Sequence, residues 1–384
     1  VDGRLNPVTA LLRLLTCVLL SAVLGPQLSA AEPEDSWKRA SPDVPITLPA
    51  DEFAHPDYKT EWWYFTGNLY DQESQRRFGY QLTFFRIGVR PPAERSTVKS
   101  EFVVDHFWFA HFAVSDPQRG KFYVSERISR GAFDEAGSGP LPDDNRVAWL
   151  KDWEMRRTSD EAGHYELLAS ADDFSLKLQL DTTKPRVLQG AAGFSSKSNN
   201  PENASHYYSF TRLASEGELT LGDQTFPVEG QSWYDREWST SLLEKGQVGW
   251  DWFSLQLKDG SELMLFQLRN ESGTKDYASG TLVRPDGSTR QLKSDEIEFE
   301  VRKTWKSAKT GADYPIDWQV RIPSLDAEFT ITAAQSAQEL PLAALAYWEG
   351  AVDVTGKLQG EAAEGVGYLE LTGYAGSIQR NLGR

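Results

Sequence analysis

The chain has 384 residues, with 40 Lys and Arg against 56 Asp and Glu and a net charge of −16. That balance argues against nucleic acid and anionic membrane surfaces as partners, because both reward basic patches. Aromatic residues make up 12%, including 13 Trp, and there is one Cys, so large apolar cores or a ligand cavity are expected and a disulfide framework is not.

In chain order, Arg4 and Arg13 precede an apolar run from Leu14 to Leu24, followed by Pro26 and the small residues Ser29-Ala30-Ala31. A basic start, an apolar core of about 7–15 residues and a small-residue exit make a secretory signal peptide, cleaved near Ala31. The run falls short of the roughly 20 apolar residues a membrane helix needs, and no later stretch approaches that length. A soluble mature chain without stable membrane insertion is therefore expected, exported to a bacterial periplasm or secreted. Cys17 lies inside the signal, so the mature chain carries no thiol. Losing residues 1–31 also removes Asp2, Arg4 and Arg13 and leaves the chain one charge more negative.

Residues 32–51 form a Pro-rich lead-in. Beyond it, period-two alternation marks short strands over Trp62–Tyr70, Gly79–Ile87, Phe102–Ser115, Lys121–Ile128, Tyr165–Ala169, Ser175–Leu180, Tyr207–Leu213 and Glu218–Leu221. The later half adds Gln231–Trp238, Gly249–Lys258, Leu263–Arg269, Gly280–Arg284, Ile297–Val301, Asp317–Ile322, Ala327–Ala333 and Gly367–Tyr374. Turn chemistry such as Asp259-Gly260 and Pro285-Asp286-Gly287 separates them. No long helix is predicted. The stretch Thr182–Ser205 is polar and rich in Gly, Ser and Asn, as a functional lid loop would be.

The chain repeats itself. Trp62-Trp63-Tyr64-Phe65 leads to Leu69 and Asp71, and Trp250-Asp251-Trp252-Phe253 leads to Leu257 and Asp259 at the same offset. We read an internal duplication: an all-β chain of two consecutive lipocalin-like antiparallel β-barrels, over 52–240 and 241–384.

Site chemistry is then sought by type. Alternation puts His106 and His111 on opposite faces of one strand, and no HExxH or similar cluster exists, so no metal site is expected. Nucleotide loops and the G-x-S-x-G elbow are absent as well, and no cofactor is expected. The most loaded segment is Gln231–Trp238. On a strand, Trp233, Asp235 and Glu237 share one face, and Tyr234, Arg236 and Trp238 the other. Facing a cavity, Asp235 and Glu237 would raise one another's pKa and supply a general acid beside a base. Facing water, they are an ordinary charged surface, which composition alone favours.

His206 and Tyr208 share one face at the end of the lid-like loop and are either proton relays or packing residues. Glu61 opens an aromatic strand containing Trp63, and Asp251 lies between Trp250 and Trp252. Each acid either lines a pocket or caps a strand.

The run Glu61–Gly67, the Lys184-Pro185 loop, His206-Tyr207-Tyr208-Ser209 with Thr211-Arg212-Leu213, and Gly230-x-Ser232-Trp233-x-Asp235-x-Glu237-Trp238 resemble the AttH/CrtC-like family over most of the mature chain. Members include carotenoid 1,2-hydratases, fungal relatives that promote cycloadditions, and secreted proteins called predicted hydrolases. The resemblance implies two lipocalin-like domains. It also implies a His-x-aromatic pair at His206 and Tyr208 and an aromatic-x-Asp pair at Trp233 and Asp235. The aromatic identities at Tyr208 and Trp233 depart from the hydratase pattern.

The leading expectation is an exported protein binding an apolar, lipid-like or isoprenoid-like small molecule, with cofactor-free acid-catalysed hydratase or isomerase chemistry by Asp235, His206, Tyr208 and Glu237. Ligand contacts are expected at Glu61, Trp63, Trp233, Trp250, Asp251 and Trp252. The alternatives are a non-catalytic carrier or accessory protein working with ABC-transporter components, and a hydrolase using the paired carboxylates.

Overall fold

The aromatic and β-branched runs form strands in a computed structural model that describes residues 37–95, 100, 102–141, 144–241, 243–342 and 346–377. The signal sequence read over residues 1–31 lies outside the described residues.

The first sheet takes strands β1 (Thr60–Asp71), β2 (Arg77–Gly88), β3 (His106–Asp116), β4 (Lys121–Ser129), β5 (Ala136–Ser138), β6 (Arg146–Leu150) and β7 (Trp153–Arg157). It continues with β8 (His164–Ser170), β9 (Phe174–Thr182), β10 (Val187–Leu188), β11 (Phe194–Ser196), β12 (Ala204–Leu221) and β13 (Gln224–Ser239). The second comprises β14 (Gln247–Leu257), β15 (Glu262–Asn270), β16 (Lys275–Val283), β17 (Thr289–Leu292) and β18 (Glu298–Lys306). Its remaining strands are β19 (Asp313–Ile322), β20 (Ala327–Ala333), β21 (Glu339–Pro341), β22 (Ala346–Leu358) and β23 (Glu361–Leu371).

Strand order is β4-β3-β2-β1-β13-β12-β9-β8-β7-β6-β5 in one sheet and β17-β16-β15-β14-β23-β22-β20-β19-β18 in the other. Each begins as a four-strand meander whose first strand, β1 or β14, pairs with the sheet's last strand, β13 or β23. The fold is thus two antiparallel sheets of lipocalin type, one of them curled nearly into a barrel. Trp62 and Trp250, equivalent in the sequence repeat, stand on equivalent strands.

The main apolar clusters follow from strand alternation. On β1, Trp63, Phe65 and Leu69 point into the core of the first sheet, while Phe253, Leu255 and Leu257 of β14 fill the core of the second. The opposite faces carry Tyr64, Trp252, Tyr207, Trp233, Phe266 and Tyr368, which pack against one another where the two sheets meet. The central strands are therefore buried on both faces, which erases the polar–apolar alternation of a half-exposed strand. Gly79 permits the close approach, since a Cβ there would come within 2.8 Å of the Cβ of Ala351.

Polar anchors fix the seam. Lys184 crosses to Glu262 at 2.8 Å and to the carbonyl of Arg284 at 3.1 Å, and Arg212 pairs with the same buried Glu262. The amide of Gln256 donates to the Thr211 carbonyl at 2.8 Å.

One expectation needs correction. Thr182–Ser205 is not a free lid, because β10 and β11 pin it to β12. The Glu52 carbonyl accepts from Trp63 Nε1 at 2.7 Å, and its carboxylate accepts from the Tyr165 hydroxyl at 2.5 Å inside the first sheet.

Candidate functional site

A cavity of about 110 Å³ opens at the seam. Its wall is largely aromatic: Trp62, Tyr64, Phe85, Phe109, Tyr207, Trp250, Trp252, Phe266 and Tyr347. Asp235, Glu237, Glu370, Lys197 and His111 supply the charge and proton chemistry.

Asp235 is placed by β13 and held by its neighbours. Register sets Ser209 of β12 directly opposite, and the Ser209 hydroxyl donates to Oδ1 at 2.5 Å. Trp233, two residues earlier on the same face, donates Nε1 to Oδ1 at 2.7 Å. The Tyr207 hydroxyl donates to Oδ2 at 2.6 Å and itself accepts from Trp252 Nε1, in the second sheet, at 3.2 Å.

Asp235 is only 2% exposed. Burial outweighs the three donors and raises its pKa from 3.8 to about 7, with Glu237 adding repulsion. The bias against the charged form is about 4 kcal/mol. Protonated on Oδ2, Asp235 would donate to the Tyr207 oxygen and leave the Tyr207 hydrogen free to turn into the cavity.

Glu237 sits beside it under different control. Lys197 Nζ lies 2.7 Å from its Oε1, and the Ser205 hydroxyl also donates to it. Lys197 is itself held 4.7 Å over the Phe266 ring and 5.1 Å over the Tyr207 ring. Glu370 of β23 accepts from Trp250 Nε1 at 3.1 Å, and burial followed by repulsion from Asp235 and Glu237 raises its pKa to about 7.

Behind the wall, Glu349 of β22 accepts from the Tyr64 hydroxyl, and burial and Glu370 push its pKa well above the ordinary range. His111 meets the Tyr347 hydroxyl through Nδ1 at 2.8 Å, and Glu126 lies 3.5 Å from its Nε2. Burial lowers the His111 pKa. One cavity thus joins carboxyls with raised pKa values, a neutral imidazole and an ammonium, arranged for proton transfer in an apolar setting.

The sequence-predicted residues divide by strand face. Asp235 and Glu237 share the cavity, and Trp250 and Trp252 line it. Composition alone had favoured a solvated surface for this face of β13, and burial by the second sheet reverses that reading. Trp233 braces Asp235 from behind, edge-on to Trp252 with ring centroids 6.1 Å apart.

His206 and Tyr208 point the other way, into the first sheet. His206 meets the Tyr58 hydroxyl at 3.2 Å and stacks on Trp238, and burial lowers its pKa to about 4. Neither residue lines the cavity.

Glu61 and Trp63 are likewise interior. Burial alone would raise Glu61, but its ion pairs with Arg86 and Arg236 hold it well below the usual carboxylate range. Arg236 in turn lies 4.0 Å from the Trp63 ring centroid. Asp251 pairs with Arg269 at 3.1 Å and accepts from the Tyr374 hydroxyl, inside the second sheet.

Sequence reasoning missed Trp62, Tyr64, Tyr207, Lys197 and Glu370, and it weighed His111 only as a metal ligand. The repeat held a signal for two of them. Trp62 and Tyr64 are the counterparts of Trp250 and Trp252, so they share the cavity-facing parity and Trp63 does not.

Fold and site together define a two-sheet lipocalin-type protein with an acidic, aromatic cavity between its sheets. Residues 39–374 match the AttH-like family, and the chain belongs to that family. An AttH-type protein of Nitrosomonas europaea is similar in crystal structure, with a TM-score of 0.76 and 37% identity, covering 88% of this chain and 99% of that one. Kievitone hydratase of Nectria haematococca superposes at a TM-score of 0.65 with 17% identity, covering 89% and 97%, a likeness of fold.

In sequence, kievitone hydratase of Fusarium solani subsp. phaseoli is 20% identical over 220 residues, 56% of this chain and 61% of that protein. The dehydratase asqC of Emericella nidulans is 27% identical over 208 residues, 50% and 55%. The matches span less than two thirds of either relative's length.

Proposed function

We propose that the protein is an exported, cofactor-free acid catalyst that adds water to, or removes it from, an apolar small molecule held between its two sheets. The observation that carries this reading is Asp235, a carboxyl on the wall of an aromatic cavity whose pKa burial raises to about 7. The hydratase and dehydratase relatives support the reaction class.

In the hydration direction, the proton passes from Asp235, directly or through the Tyr207 hydroxyl, to one alkene carbon, and the π pair forms the new C–H bond. The adjacent carbon becomes cationic. The indole faces of Trp250 and Trp252 and the carboxylate of Glu237, paired with Lys197, stabilise that charge. Water adds to the cation and its proton returns to Asp235, which closes the cycle without a cofactor. Dehydration is the reverse. A pure carrier would need the apolar cavity but no buried acid, so the carboxyls favour catalysis.

The test is incubation with kievitone and a panel of prenyl alkenes in isotopically labelled water, read by mass spectrometry. The reading expects one labelled oxygen per product and a loss of about 10²–10⁴-fold in rate for Asp235→Asn. Equal turnover by Asp235→Asn would overturn it.

A further inference from the structure

The apolar wall of the cavity does not end at the cavity. Phe85, Ile87 and Phe109 line it. Register sets Phe109 opposite Phe85 and Phe107 opposite Ile87, and one strand further out it sets Ile128 of β4 opposite Phe109. Directly opposed side chains on one sheet face stand roughly 5 Å apart, so these residues form one strip. Phe85 and Phe109 are stacked with centroids 4.6 Å apart.

Exposure rises outward along the strip, to 45% at Phe107 and 52% at Ile128. From Phe85 to Ile128 it crosses two strand spacings, roughly 10 Å. The same face of β4 is covered elsewhere, where Phe122 and Val124 pack with Leu340 of β21. Among the described residues, that cover stops toward Ile128.

Isolated exposed apolar residues are ordinary, but an apolar strip continuous with a cavity marks a binding surface. The cavity itself, at about 110 Å³, holds only a compact group. Sites that enclose a whole drug-sized ligand are roughly 300–1,000 Å³.

We propose that the strip Phe85–Phe109–Ile128, with Ile87 and Phe107, is the outer half of the ligand site. It carries the hydrocarbon chain of a ligand whose compact head enters the cavity. The ligand class is thereby a chain-bearing molecule longer than the cavity, lying across β2, β3 and β4. The inference rests on the cavity being the ligand site and is independent of what Asp235 does there.

The test uses primary alcohols from hexanol to dodecanol, with binding read by quenching of tryptophan fluorescence in the full chain. Each methylene that finds apolar cover should tighten binding about fourfold. The wild type should continue this rise to the longest chains. The double variant Phe107→Ser, Ile128→Ser should follow it for short chains and then level off, with an unchanged thermal unfolding profile because both residues are exposed.

Parallel chain-length slopes in the two proteins, or a wild type that levels off early, would overturn the proposal. So would a defect of the variant confined to phosphatidylcholine vesicle binding, which would assign the strip to a membrane surface. The readout is binding, so failure of the hydratase reading would show in turnover by Asp235→Asn and leave these slopes untouched.

Discussion

Replacing Asp235 with Asn removes a group whose proton affinity differs between the folded and unfolded chain. Burial raises its pKa from 3.8 to about 7 in the folded protein. The folded state holds this proton more tightly, so the group's contribution to stability is fully present below pH 3.8 and is lost as pH rises through about 7. Linkage over that window makes the wild type about 2.5 kcal/mol less stable at pH 8 than at pH 5 through this group alone.

Asn cannot titrate. The unfolding free energy of Asp235→Asn relative to wild type should therefore climb by about 2.5 kcal/mol between pH 5 and pH 8. Any constant cost of the amide cancels in that difference, and Glu370, present in both proteins, cancels to first order. Urea unfolding of both proteins across this pH range measures it directly. Parallel pH dependences would refute the argument that burial dominates the three hydrogen bonds at Asp235.

Three further outcomes are expected. Lys197→Met strands Glu237 and should cost about 3–5 kcal/mol in urea unfolding at pH 7, with most of it restored in Lys197→Met, Glu237→Gln. Glu61→Gln leaves Arg86 and Arg236 facing each other and should cost a similar amount. Because the Glu61 pKa is depressed, that stability is present above the ordinary carboxylate pKa and fades as pH falls below it, so the variant's deficit should shrink in acid. Tyr207→Phe removes a hydrogen bond that lowers the Asp235 pKa, so infrared titration should find that carboxyl higher than in wild type, whereas His206→Gln should leave it in place.

Much of the fold was legible because its signals are local. The repeated aromatic strands, the turn residues between them and the alternation that sets Asp235 with Glu237 and against Arg236 all lie within a few residues. What the sequence concealed depends on the second sheet. Whether Asp235 faces water or a cavity is decided by Trp252, Phe266 and Glu370, which lie far along the chain.

Strand β22, with Tyr347 and Glu349, escaped detection for the same reason. Its first half is buried on both faces and passes through Gly350-Ala351, so no alternation remains to be read. In His206-Tyr207-Tyr208 the sequence offered two parities, and the proton chemistry of histidine and the resemblance both pointed to the histidine face. Register with β13 gives the cavity to Tyr207. Lys197 sits in a polar loop whose short pairings with β12 leave little trace in composition.

The measurement closest to the central claim is an infrared difference titration of the protein between pH 5 and 9, comparing wild type with Asp235→Asn. A buried acid poised for proton donation predicts a protonated-carboxyl band titrating near pH 7 that is larger in wild type than in the variant, where only the Glu370 contribution to it remains. If Asp235 is already ionised at pH 5, so that the two spectra agree, the seam cavity holds no proton donor at this position and the proposed chemistry fails.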